Sequence, residues 1–158
     1  LSLAMGEFLL RWPVNLLTGA LLALTLAGAP AQSGACILLS LLSAFGGAIL
    51  SFLFTVGLAL TAFWVEENRP FFWIYSKLIF TLGGLFVPVE IYPLWLRALA
   101  SKLPFEYMVS GPARLFVQFE WAFWWRIAAG QALWLVALLG AVWLLYAAGV
   151  KRVHVHGG

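Results

Sequence analysis

The chain reads as an all-α membrane protein with four transmembrane helices, and three observations carry that reading. Of its 158 residues, 64% are hydrophobic and 9% charged, with a mean hydropathy of +1.00. A soluble domain carries roughly 25% charged residues. Residues 12–65 form one uncharged run and residues 127–150 a second. Nine Trp and thirteen Phe suit a protein with two water–lipid interfaces, where amphipathic aromatics gather.

The first uncharged run is too long for one span. A single helix of that length would reach about 80 Å at ~1.5 Å per residue, against a hydrocarbon layer of ~30 Å. The sequence AGAPAQSG at 27–34 clusters Gly, Pro, Gln and Ser as a turn. Spans are therefore expected over 13–26 and 35–63. The second carries Ser43, Gly47, Ser51, Thr55 and Ala59 at a spacing of four, which keeps them near one helix face. Small residues on one face let membrane helices approach closely. Helix packing is the plain reading of the stripe, and the lining of a substrate path is the sharper one.

Glu66, Glu67, Asn68 and Arg69 make the densest polar cluster of the chain, flanked by aromatics and followed by Pro70, a residue suited to the first turn of a helix. A third span is expected over 71–87, with Lys77 snorkelling to its near interface. The stretch from Pro88 is too apolar for a solvated loop and too charged for a span. Two short helices lying on or dipping into the membrane surface are expected there, at 92–103 and 105–119. In the first, Trp95, Leu96, Leu99 and Leu103 share one face, while Arg97 and Ser101 share another. The last span is expected over 127–150, entered through Trp121, Phe123, Trp124 and Trp125 and stopped by Lys151 and Arg152.

Several chemistries have nothing to run on. The sequence has no Asp, and the expected spans hold no His and no buried Glu, so no proton relay or ion-coupled carrier is visible. Glu66 and Glu67 are neighbours in sequence and do not face each other on a helix. No HExxH, GxxxxGK[ST] or GxSxG motif occurs. His154 and His156 alone are a weak metal signal, and single Cys36 excludes an intrachain disulfide. Neither a catalytic site nor a metal or cofactor site is expected, and the small net charge of +3 gives no sign of a nucleic-acid partner. The opening LSLAMGEF has no basic n-region and no cleavage site, so it is not a signal peptide; a chain that starts at Leu and runs almost at once into membrane sequence is expected to lack residues upstream.

Several local patterns recur in order: the aromatic–acidic connector Phe63-Trp64-Val65-Glu66, the Gly83-Gly84 to Val87-Pro88 break, and Tyr92-Pro93 followed by Trp95-Leu96. Leu103-Pro104-Phe105, Pro112-Ala113-Arg114-Leu115 and the closing Gly157-Gly158 complete the set. In this order they resemble the C-terminal half of ABC-2 type permeases, in particular the bacterial ABC-2 family transporter proteins, most densely over Phe63–Phe119. The resemblance implies a six-helix permease subunit of which these residues hold the last four helices. It implies a second permease subunit, identical or not, and an ABC ATPase that carries ATP and Mg on its own chain. It also implies a multi-pass protein of the bacterial plasma (inner) membrane that exports a substrate by alternating access.

On that basis Glu66, Glu67, Asn68 and Arg69 are the candidate ATPase-coupling connector. Pro88, Tyr92, Pro93, Trp95, Pro104, Phe105 and Pro112 are the candidate outer gate. Four spans put both ends on one side, and the basic residues divide five to four between the faces. The Lys151-Arg152 tail assigns the termini to the cytoplasm under the positive-inside rule. A non-transporting anchoring or assembly subunit is the alternative reading.

Overall fold

The computed structural model describes residues 13–14, 17–18, 33–87 and 89–156, apart from the side chains of Glu90 and of 152–156. Residues 13, 14, 17 and 18 are helical, and the Thr18 hydroxyl donates to the Val14 carbonyl at 2.9 Å. The rest of the expected first span lies outside the described residues. From Gly34 onward every regular element among the described residues is helical.

Helix α1 runs Gly34–Leu60 and closes in a 3₁₀ turn, Thr61–Phe63. It has no charge to solvate, and its polar side chains are satisfied on its own backbone. The hydroxyls of Ser40, Ser43, Ser51 and Thr55 donate to the carbonyls of Cys36, Leu39, Gly47 and Ser51 at 2.8–3.0 Å. A helix in lipid has no water to offer such groups. At ~1.5 Å per residue its 27 residues rise about 40 Å, enough to cross a bilayer.

Helix α2, Arg69–Leu82, starts with Pro70 in its first turn. It ends at Gly83-Gly84, where Gly84 has φ +73°, a left-handed conformation that glycine adopts without steric cost. Its 14 residues rise about 21 Å, short of the ~30 Å hydrocarbon layer. The expected span over 71–87 is therefore helical for only part of its length, because the paired glycines turn the chain early.

A 3₁₀ turn at Val89–Ile91 leads to α3, Leu94–Ala100. Pro93, which has no N–H to give and sits at ψ 148°, delays the start of this helix relative to the expected 92–103. The expected helix over 105–119 is two: α4, Pro104–Met108, and α5, Ser110–Val117, separated by a non-helical Val109 (φ −128°, ψ −74°). Helix α6, Trp121–His156, outruns the expected 127–150 at both ends. Hydropathy marks the part of a helix that lipid can hold, whereas Arg126 and Lys151 are both good helix formers.

Two described helical segments, Gly34–Phe63 and Trp121–Lys151, are long and apolar enough to cross a membrane. Only 6% of the apolar window of the second is buried inside the chain, so it is not the core helix of a soluble protein. Along its length it presents Leu133, Val136, Trp143 and Leu144 outward.

Helices α1 and α6 run parallel. The Trp124 indole N–H donates to the Leu39 carbonyl at 3.4 Å, and the Gln131 amide to that of Ser43 at 2.7 Å. Further along, Gly57 faces the Val142 methyl and Gly149 lies under the Phe63 ring. Parallel neighbours force the 57 residues between them, 64–120, to bring the chain back from the Phe63 end to the Trp121 end. Helix α2 starts that return. Its Tyr75 stacks on Phe54 of α1 with ring centroids 4.8 Å apart. At Gly84 the chain has come up beside the Ser110 side chain. Leu50, Leu82, Val89, Ala100, Phe105 and Met108 form the buried core between these elements.

Candidate functional site

The short helices are wedged into the α1–α6 pair rather than laid on its end. Gly47 of α1 meets the Met108 carbonyl of α4 so closely that a Cβ would collide with main chain, and Gly130 of α6 does the same with the Tyr107 ring. Gln131 holds the wedge in place by donating to the carbonyls of Ser43 and Tyr107 at 2.7 and 3.0 Å. The small stripe of α1 is thus divided among neighbours. Ser43 and Gly47 are buried, Gly47 against α4, while Ser51 and Thr55 are half-buried, their hydroxyls donating to the carbonyls of Gly47 and Ser51. Ala59 is exposed.

The gate candidates separate into two groups. Pro104, Phe105 and Pro112 are buried, and Phe105 packs toward Phe54 and Tyr75 with ring centroids 5.7 and 6.3 Å away. Pro93 and Trp95 are exposed, Trp95 at 69%. The Tyr92 hydroxyl donates to the Thr81 carbonyl, tying this segment back to α2, and Pro88 lies outside the described residues. Far from them, at the Phe63 end, is the connector. Its Arg69 Nε lies 3.4 Å from Glu67 Oε1 with both side chains largely in solvent, so this pair adds little stability.

One polar cluster was not singled out by the sequence. Glu106 on α4 is 7% exposed, although no carboxylate was expected to be buried in the expected spans, which lie on either side of it. Its Oε1 accepts from Arg126 Nη2 of α6 at 2.6 Å, while Oε2 and the buried Ser110 Oγ have no partner among the described residues. Glu106 and Ser110, with Arg97, Ser101 and Arg114, line a cavity of about 50 Å³. Arg97 and Ser101 share it because they are one helical turn apart, as their spacing predicts. Phe123 closes the cavity under two guanidinium groups, with Arg114 and Arg126 at 4.6 and 4.8 Å from its centroid. Tyr107, whose hydroxyl donates to the Ser101 carbonyl at 2.8 Å, titrates above its ordinary value. Burial is the main cause, the charge of Glu106 adds to it, and Arg126 opposes both.

The signals for this cluster were thin. Gln131 was visible as a lone amide in an apolar run, but its partners are main-chain carbonyls, which no side-chain pattern records. Glu106 and Arg126 lie 20 residues apart across two helix breaks, a separation without periodicity. No group of three or more metal-binding side chains occurs among the described residues.

The cavity offers fixed charge and hydrogen-bonding groups. Neither comparison with curated proteins nor comparison with solved structures gives a match. A sequence profile of the family described as ABC-2 family transporter protein matches residues 4–157. An apolar, all-helical chain matched over nearly its whole length belongs to that family: it is an ABC-2 family transporter protein.

Proposed function

We propose that this chain is the permease subunit of an ABC-2 exporter in the bacterial inner membrane. It pairs with a second permease subunit, identical or not, and alternates access as a separate ATPase binds and hydrolyses ATP with Mg. Helix α6 leaves an apolar face uncovered along its length, which suits contact with lipid and with such a second subunit. The carrying observation is the family match together with the parallel α1–α6 pair. That arrangement supports a connector on the same face as Lys151 and a wedge toward the opposite face. Under this reading Glu66, Glu67, Asn68 and Arg69 meet the ATPase in the cytoplasm, where the termini also lie. Tyr92, Pro93, Trp95, Pro104, Phe105 and Pro112, with Pro88, form the outer gate, and Ser43, Gly47, Ser51, Thr55 and Ala59 pack helices beside the path.

The test is charge reversal of Glu66, Glu67 and Arg69 together in the assembled transporter. Loss of transport-coupled ATPase activity, with the subunit still folded and inserted, is the expected result. Unchanged ATPase coupling would remove the connector's role. Failure of any ATPase to co-purify with the subunit would favour an anchoring component instead.

A further inference from the structure

The cavity beside Glu106 contains two features that ask for opposite charges. Glu106 Oε2 is out of water with no donor among the described residues, on a side chain only 9% exposed. Leaving a carboxylate oxygen in that state is costly. Arg97, Arg114 and Arg126 line the same cavity, Arg126 being the partner of Oε1. A simple cation would be opposed by the arginines and a simple anion would leave Glu106 Oε2 without a donor, whereas a ligand carrying both charges satisfies the two. Ser110 Oγ, also buried and unpartnered among the described residues, can give or take one more hydrogen bond.

The depth of the cavity says where such a ligand comes from. Trp121 and Trp125 on the first turns of α6 and Trp95 on α3 are exposed, and Trp and Tyr mark the headgroup level of a membrane protein. Arg126 and Phe123 lie within this belt.

We propose that the cavity binds an aminophosphate group, the headgroup of a phosphatidylethanolamine-type lipid. The ammonium donates to Glu106 Oε2, and the phosphate sits at the mouth against Arg97 and Arg114. A space of about 50 Å³ admits a primary ammonium. It disfavours a trimethylammonium, which is bulkier and has no N–H to donate. The site is set by residues of α3 to α6 and holds whichever way the subunit moves its substrate.

The experiment is native mass spectrometry of the full-length protein released from nanodiscs of equimolar phosphatidylethanolamine, phosphatidylcholine and phosphatidylglycerol. Wild type should retain phosphatidylethanolamine about tenfold over each of the others, the worth of one charge-assisted hydrogen bond. Glu106→Gln should abolish the preference over phosphatidylglycerol. Arg97→Gln, at an exposed position, should lower retention of all three phospholipids. Equal retention of all three lipids by wild type, or a preference unchanged in Glu106→Gln, overturns the proposal. Saturation by soluble phosphoethanolamine, with no lipid preference, overturns the lipid source and assigns the site to a free solute.

Discussion

The side-chain amide of Gln131 donates to the main-chain carbonyl of Ser43 at 2.7 Å, binding α6 to α1 in the middle of an apolar interface. The same nitrogen reaches the Tyr107 carbonyl at 3.0 Å, so one side chain joins both long helices and the wedge. Gln131→Leu keeps the bulk and removes both bonds. Polar contacts between membrane helices are worth about 0.6 kcal/mol on average and at most about 1.7 kcal/mol. A two-bond anchor should fall in the upper part of that range. Thermal unfolding in a lipid-like detergent should show a lower midpoint for Gln131→Leu, and an unchanged midpoint would mean the amide is dispensable.

Gly47 and Gly140 make a matched pair. A Cβ on Gly47 would strike the Met108 carbonyl, whereas one on Gly140 meets nothing within 4 Å. Overpacking of this kind costs about 1–3 kcal/mol, and backbone cannot swing aside as a flexible side chain does. Gly140→Ala relieves the entropic penalty of a helical glycine, near 1 kcal/mol. Unfolding measurements should therefore move in opposite directions for Gly47→Ala and Gly140→Ala. Equal shifts would show that the wedge does not sit against α1.

Much of this architecture was legible in the sequence, and the reasons differ by element. Uncharged runs located both long helices, because lipid forbids unpaired charge over that depth and little else competes with the signal. The interruption after Gly83-Gly84 was legible for the same kind of reason, since glycine pairs and prolines act locally. The split of the expected 105–119 helix was not: Val109 is an ordinary helix residue by type, and its conformation answers to the packing on either side. The wedge itself depends on Gly47 and Gly130 each facing a group from a different part of the chain. The stripe at spacing four signalled that something packs there, without saying what. The Glu106–Arg126 pair was hidden because a single acid and a single base among aromatics resemble interfacial charges that meet only water.

Removing Arg126 should be worse than removing the pair. Arg126→Gln takes away the cationic partner of Glu106 Oε1, and stranding a buried carboxylate costs more than the pair is worth. Arg126 is about half-exposed, at 46%, so the penalty is screened toward about 1–3 kcal/mol. The double variant Glu106→Gln with Arg126→Gln should recover part of that loss, a coupling that a double-mutant cycle measures directly. Additive losses would show that the two side chains do not interact.

The most direct check of the architecture is which face of the membrane each end of the α1–α6 pair occupies. In a Cys36→Ala background, single cysteines replace exposed Glu67 in the connector and exposed Lys102 after α3. A membrane-impermeant maleimide applied to intact cells should label Lys102→Cys at once and Glu67→Cys only after permeabilisation. Labelling of both positions from the same face would contradict the parallel pair and the return of the chain between them.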